Sequence, residues 1–295
     1  MIKKLLRYNK SLLKTFVSVG LVLYLLTKIS FQDVVYVLNA IDYSFIPLTV
    51  IFLLIGVILH SVSNKLLLED NNSKVKLETL VFVNLIKSYL DTYLFPKTSG
   101  NEYRKSFLSK KFHSDAAVGH LILVEPSLKK IAFLIIMLIG SIWYTRAMSL
   151  IFVLWLVLGW VFYRIILNTL APINNEIKDL RASFNWYLQK RKRVLSYVFL
   201  ISSLIMQICA QYVLLLSTGI FISPLGFLVI SALIGLLMLT IPSFGGIGLQ
   251  DFLYVVLLLF FSVPAQVALA VSITYHFSKL GISLIGGFIH AKGKV

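Results

Sequence analysis

A chain of 295 residues that is 58% hydrophobic and only 14% charged, with a mean hydropathy of +0.88, excludes a water-soluble globular domain. Such a domain is nearer half apolar and about a quarter charged, so the surplus here needs lipid as its solvent. The net charge of +16 sets orientation and meets anionic headgroups rather than nucleic acid, and the single cysteine, Cys209, excludes an internal disulfide. No spacing of metal ligands is present, and no metal or cofactor is expected.

In chain order, a basic stretch over 1–14 precedes an apolar run at 12–28 that lacks a small-residue cleavage pattern, which predicts a retained first span. Further apolar runs follow at 44–62, 79–95, 117–143, 147–167, 194–217, 225–241, 249–262 and 265–290. A full crossing takes about 20 residues, so 79–95, 225–241 and 249–262 are short. Basic residues collect at the start, after the second and third runs, in the central linker and at the end. The connections between these hold few. That asymmetry predicts a multi-pass protein of the cell membrane with both termini cytoplasmic. Residues 174–193 interleave Leu, Phe, Trp and Tyr with charges, as a helix lying on the cytoplasmic surface would.

Two short runs end alike. Pro96-Lys97-Thr98-Ser99-Gly100 closes one and Pro242-Ser243-Phe244-Gly245-Gly246 the other, 146 residues apart. At that offset 79–95 falls on 225–241, 44–62 near 194–217, and 117–143 near 265–290. Charge places the two halves in opposite orientations, an inverted repeat. The expected fold is all-α: one transmembrane domain over 1–295, with a first half 1–145, a connecting span and surface helix 146–193, and a second half 194–295. It has either six full spans and two re-entrant hairpins, or eight plain spans. The hairpin tips would hold Pro96, Gly100, Pro242, Gly245, Gly246 and Gly248. Broken backbone survives at membrane depth only where protein or water satisfies it, so the tips should line a polar cavity.

Charged residues in these runs are the candidate headgroup ligands. Lys87 and Asp91 lie four apart, able to neutralise each other or to wall a site. Lys97, Glu102, Arg104 and Lys105 surround the first break, with a solvated loop the competing reading for Glu102. Glu125 precedes Pro126, which should break its helix, with Lys129 and Lys130 one turn on. Ser243, Gln250 and Asp251 follow the second break; helix capping is the structural alternative for Asp251. His276 and Lys279 lie in the last run. His60 and His120 are read as packed residues and set aside. No nucleophile elbow, phosphate loop or zinc motif appears.

These segments resemble the transmembrane domain of the lysylphosphatidylglycerol synthase/flippase family. Pro96-Lys97-Thr98-Ser99-Gly100-Asn101-Glu102-Tyr103-Arg104-Lys105 is similar to its first Pro–Gly–acid–Arg segment. Pro242-Ser243-Phe244-Gly245-Gly246-Ile247-Gly248-Leu249-Gln250-Asp251 is similar to its glycine-rich second, with Gln250 in place of Arg and Asp251 in place of Glu. Glu125 matches a Glu-Arg pair whose Arg is here Pro126, and Tyr275-His276 matches a Tyr-Arg pair. The resemblance implies a lipid translocase, not an enzyme, moving an anionic, aminoacylated or polyprenyl-phosphate-linked lipid through a polar headgroup cavity. The competing expectations are a lipid-linked glycosyl or phosphoryl transferase subunit and a non-catalytic partner of a lipid-modifying enzyme.

Overall fold

A computed structural model describes residues 16–68, 76–93, 100–112, 115–144, 175–188, 191–241 and 246–292. The described residues are helical and contain no strand. The helices are α1 (Phe16–Lys28), α2 (Phe31–Ala40), α3 (Ile46–Leu68), α4 (Leu77–Tyr93), α5 (Gly100–Phe112), α6 (Asp115–Tyr144), α7 (Asn175–Leu188), α8 (Arg191–Leu216), α9 (Pro224–Thr240), α10 (Leu249–Leu258) and α11 (Ala265–Ala291). The expected span at 147–167 and the residues Pro96, Lys97, Pro242, Ser243 and Gly245 lie outside the described set.

Among the described residues three stretches are long and apolar enough to cross a bilayer: Tyr43–Leu68, Val194–Leu216 and Ala265–Ala291. The pair α1–α2 makes a fourth if it counts as one span, although it bends by 89°. At 1.5 Å per residue the 23 residues of α3 reach about 34 Å, enough for the hydrocarbon core, while the ten of α10 reach only about 15 Å. The short helices instead fold back on their neighbours, α4 against α5 and α9 against α10.

One expectation needs correction. Pro126 does not break its helix: α6 runs unbroken through it from Asp115 to Tyr144. A proline removes one backbone hydrogen bond, and a 30-residue helix holds enough others on either side to carry the loss. The expected surface helix falls on α7, which packs one face on the bundle. Ser183 and Tyr187 of α7 are buried against α6 and α8, while Asp179 and Arg181 stay exposed. His120 of α6 reaches α7 through Nδ1 to Ser183 Oγ at 2.8 Å and stacks on Trp186 at 5.3 Å. Burial pushes the Tyr187 hydroxyl up to about 12.

The contacts between helices follow a pattern. Helices α3 and α8 pack on each other and run antiparallel: Asp42 N–H donates to Ser217 O (3.0 Å) at one end, and Gly56 lies against Ser203 further along. Helix α4 packs on α11, and α9 packs on α6. The pairs α3–α4, α4–α5, α5–α6 and α3–α6 are matched by α8–α9, α9–α10, α10–α11 and α8–α11. Each contact of the first set becomes one of the second when five is added to its labels. The tripeptide Leu138-Ile139-Gly140 on α6 recurs 146 residues later as Leu284-Ile285-Gly286 on α11. Gly140 sits against α9, and Gly286 sits so close to α4 that a Cβ there would collide with the Leu85 carbonyl.

Candidate functional site

Three cationic or titratable groups meet one carboxylate where α3, α5 and α6 converge. Arg104, only 1% exposed, projects from α5, and its Nη1 donates to Glu125 Oε2 at 2.6 Å. One turn along α6 from Glu125, Lys129 brings its Nζ within 2.7 Å of Oε1. His60 of α3 places Nε2 at 3.0 Å from the same oxygen. A carboxylate this deep is stable only with such compensation, and the cations need it equally. Nearby on α4, Lys87 Nζ contacts Asp91 Oδ2 at 2.6 Å, one helical turn away. The other oxygen of Asp91 accepts the Gly100 N–H at 2.8 Å, fixing the start of α5. A Cβ on Gly100 would lie 2.8 Å from that oxygen, so only glycine allows α5 to begin this close to α4.

A second cluster, on α10 and α11, has different chemistry. Gln250 of α10 lies 146 residues beyond Arg104 and is equally buried, at 1% exposure. Among the described residues neither its Nε2 nor its Oε1 has a hydrogen-bond partner. Asp251 beside it caps α10: the Gly248 N–H donates to Oδ2 at 2.9 Å, and Ser272 Oγ of α11 donates to Oδ1 at 2.6 Å. His276 Nε2 lies 3.3 Å from the same Oδ1. Gly248 holds φ at +79°, in the left-handed region that glycine enters without strain.

Between these two clusters lies a hollow in two adjoining chambers of about 520 and 280 Å³. Asp91, Lys129, Gln207, Tyr275 and Lys279 line both. The larger also takes in Gln211, Gly246 and Gln250, and the smaller His60, Asn84 and Lys87. Three lysines thus face one carboxylate. Lys279 makes no ion pair among the described residues; its Nζ sits 5.4 Å above the Tyr275 ring. A wall of lysines and amides inside an apolar bundle suits an anion that also carries hydrogen-bonding groups.

Of the residues singled out from sequence, Lys87, Asp91, Lys129, Gly246, Gln250 and Lys279 line the hollow, and Arg104 and Glu125 brace it from behind. Asp251 and His276 support α10 instead. Glu102 and Lys105 face outward, and Lys130 is half-buried away from both chambers. Sequence reasoning set His60 aside, quoted Tyr275 only within the Tyr275-His276 match, and passed over Asn84, Gln207 and Gln211. The available signal was polarity itself: Gln207 and Gln211 lie four apart in an otherwise apolar run, hence on one helical face.

No curated protein matches this chain. The sequence model of the family described as "Lysylphosphatidylglycerol synthase TM region" matches residues 11–287, nearly the whole length. With its apolar helices and buried charges, the chain is a multi-pass, membrane-embedded member of the lysylphosphatidylglycerol synthase transmembrane family.

Proposed function

We propose that this protein moves an anionic lipid between the leaflets of the cell membrane, holding its headgroup in the two-chambered hollow while the acyl chains stay in lipid. The observation that carries this reading is the cationic wall of Lys87, Lys129 and Lys279 deep among apolar helices. Such residues are expensive within a bilayer and are retained along substrate paths. Among the described residues Lys279 has no carboxylate partner to discharge it, so a phosphate would find it ready.

The matched contact sets of α3–α6 and α8–α11, and the antiparallel run of α3 against α8, support an inverted repeat with the hollow at its centre. In this arrangement each half contributes one hairpin, α4–α5 and α9–α10, and both termini face the cytoplasm. Rocking of one half against the other would open the hollow to each leaflet in turn. The hollow binds and releases; no bond is made or broken in it, and the protein acts without enzymatic chemistry.

Reconstitution into vesicles carrying a fluorescent phosphatidylglycerol in one leaflet tests this. Protein-containing vesicles should equilibrate the label faster than empty ones, and Lys279→Gln should slow the exchange about tenfold, the loss of one charge-assisted contact. Equal rates with and without protein would end the reading.

A further inference from the structure

We infer that α2 is an interfacial helix seated in the lipid of the outer leaflet, the counterpart on that face of α7 on the cytoplasmic one. Nothing in this placement depends on lipid moving through the hollow. The offset of 146 residues carries Phe31–Ala40 onto 177–186, inside α7. Asp33 then falls on Asp179 and Asn39 on Asn185, identical residues that are exposed in both helices. The inward faces agree too. Buried Ile41 falls on buried Tyr187, half-buried Val37 on buried Ser183, and half-buried Leu38 on half-buried Phe184. The two helices also pack alike, α7 on α6 and α2 on α11, and α6 and α11 are themselves five labels apart.

The antiparallel run of α3 and α8 puts the pair on opposite faces. Helix α2 leads into the start of α3, where the Asp42 N–H meets Ser217 O just past the end of α8. Helix α7 leads into the start of α8, whose 26 residues span about 39 Å at 1.5 Å per residue. Charge then names the faces. Residues 29–64 contain no Lys or Arg, whereas Lys178, Arg181 and every residue of 190–193 are basic, so α7 belongs to the cytoplasmic surface and α2 to the outer one. Lys178 and Arg181 stand where α2 has Gln32 and Val35, so the cations that suit an anionic inner leaflet are confined to one member of the pair.

The shape and the sides of α2 fit a helix lying in the surface. It leaves α1 at 89°, and its ten residues reach only about 15 Å, half of the hydrocarbon core. With about 100° per residue, three strips follow one another around it. Val34, Val37, Leu38 and Ile41 face the protein. Phe31 and Val35, one turn apart and both exposed, form an apolar edge beside them, with Phe31 at 69% exposure. Gln32 and Asn39, two turns apart, form an exposed polar ridge beyond that edge. Protein, lipid and water on successive sides are what a helix at the membrane boundary meets. Exposed Tyr36, an aromatic body with a polar tip, suits headgroup depth.

The single cysteine makes the test direct. In the full chain carrying Cys209→Ser, one cysteine is returned at a time: Phe31→Cys or Val35→Cys on the apolar edge, Gln32→Cys or Asn39→Cys on the polar ridge, and Asn185→Cys on α7. In sealed right-side-out vesicles a membrane-impermeant maleimide should label Gln32→Cys and Asn39→Cys. Asn185→Cys should label only after the vesicles are made permeable, and Phe31→Cys and Val35→Cys should resist in both conditions. Nitroxides attached at the two edge positions in reconstituted protein should be reached by oxygen and lie about 5–10 Å into the headgroup and acyl boundary. Those on the ridge should be reached by a water-soluble nickel chelate. Two positions on each strip guard against one variant that fails to fold. Ridge cysteines that stay silent in sealed vesicles, equal labelling of all four α2 positions, or edge nitroxides at the bilayer centre overturn the placement and make α1–α2 one bent span. The expected labelling in a protein that moves no lipid removes the translocation reading and leaves α2 where it is.

Discussion

The two halves of this protein place a large polar residue at corresponding depths and treat it in opposite ways. In the first half Arg104 is buried beside Glu125, which also holds Lys129 and His60. Further along, Gln250 is buried with both amide atoms unpartnered among the described residues, and the neighbouring acid, Asp251, is turned to capping α10 and tying it to α11. Around Glu125 each charge has its opposite within hydrogen-bond reach, although Arg104 Nη2 has no partner among the described residues. Around Gln250 the nearby acid is spent on the backbone and on Ser272. One cluster is a charged brace between helices, and the other is a cap on a short helix.

The largest way to break this comparison is Glu125→Gln. It leaves Arg104 and Lys129 buried without their carboxylate, a change that costs about 3–5 kcal/mol when one partner of a buried pair is removed. Asp251→Asn should cost about 1 kcal/mol, the usual loss of a helix cap. Thermal unfolding in detergent, followed by fluorescence-detected gel filtration, compares the two directly. If Asp251→Asn proves as damaging as Glu125→Gln, the two acids do not differ in the way argued here.

Much of this was legible before any coordinates. The apolar runs located α3, α8 and α11, because a span must satisfy its own backbone and hydrocarbon demands apolar side chains. Local spacing exposed the pairs Lys87–Asp91 and Glu125–Lys129, since four residues make one helical turn. The Pro and Gly breaks announced the offset of 146 residues. What stayed hidden depended on registry between distant helices. Nothing near His60 in the sequence points to Glu125, 65 residues on, and His60 reads as a packed histidine until α3 and α6 are seen together. Arg104 stands out as a candidate beside the first break, but its neighbours Lys105, Lys110 and Lys111 give no sign of which cation is buried. Only the turn of α5 buries Arg104 and leaves Lys105 exposed. Pro126 misled for a related reason: the pull to break a helix is local, and the long helix around it prevailed.

A second pair of residues sharpens the comparison at the interfaces that join the halves. Gly140 and Gly286 hold corresponding places, yet their surroundings differ in what can yield. A Cβ at Gly286 meets the backbone of Leu85 and Ile86, whereas one at Gly140 first meets the methyl of Val229 at 2.6 Å. Backbone cannot turn aside and a side chain can. Gly286→Ala should therefore cost about 1–3 kcal/mol in overpacking, with Gly140→Ala the milder of the two. The same unfolding measurement reads both. Equal losses would mean that the α4–α11 and α6–α9 contacts adapt alike, against the difference in their lining.

The smallest effect is expected at the outer end of the α3–α8 pair, where the halves meet near solvent. Asp42 donates its backbone N–H to Ser217 O and accepts the Ser44 N–H at 3.0 Å through its side chain, which starts the short 3-10 turn ahead of α3. That hydrogen bond holds the Asp42 carboxyl below the ordinary range. A carboxylate whose folded pKa is depressed stabilises the fold above its unfolded value, near 4, and loses that contribution as pH falls through the folded value. Acidification from pH 5 toward 3 should thus remove this contribution in wild type, while Asp42→Ala, lacking the carboxyl, starts lower and loses none of it. The difference in melting temperature between the two should be small at neutral pH, because the group is fully exposed, and should vanish at low pH. A gap that widens on acidification would reverse the sign, and would show that the Asp42 side chain strains the junction where α3 meets α8.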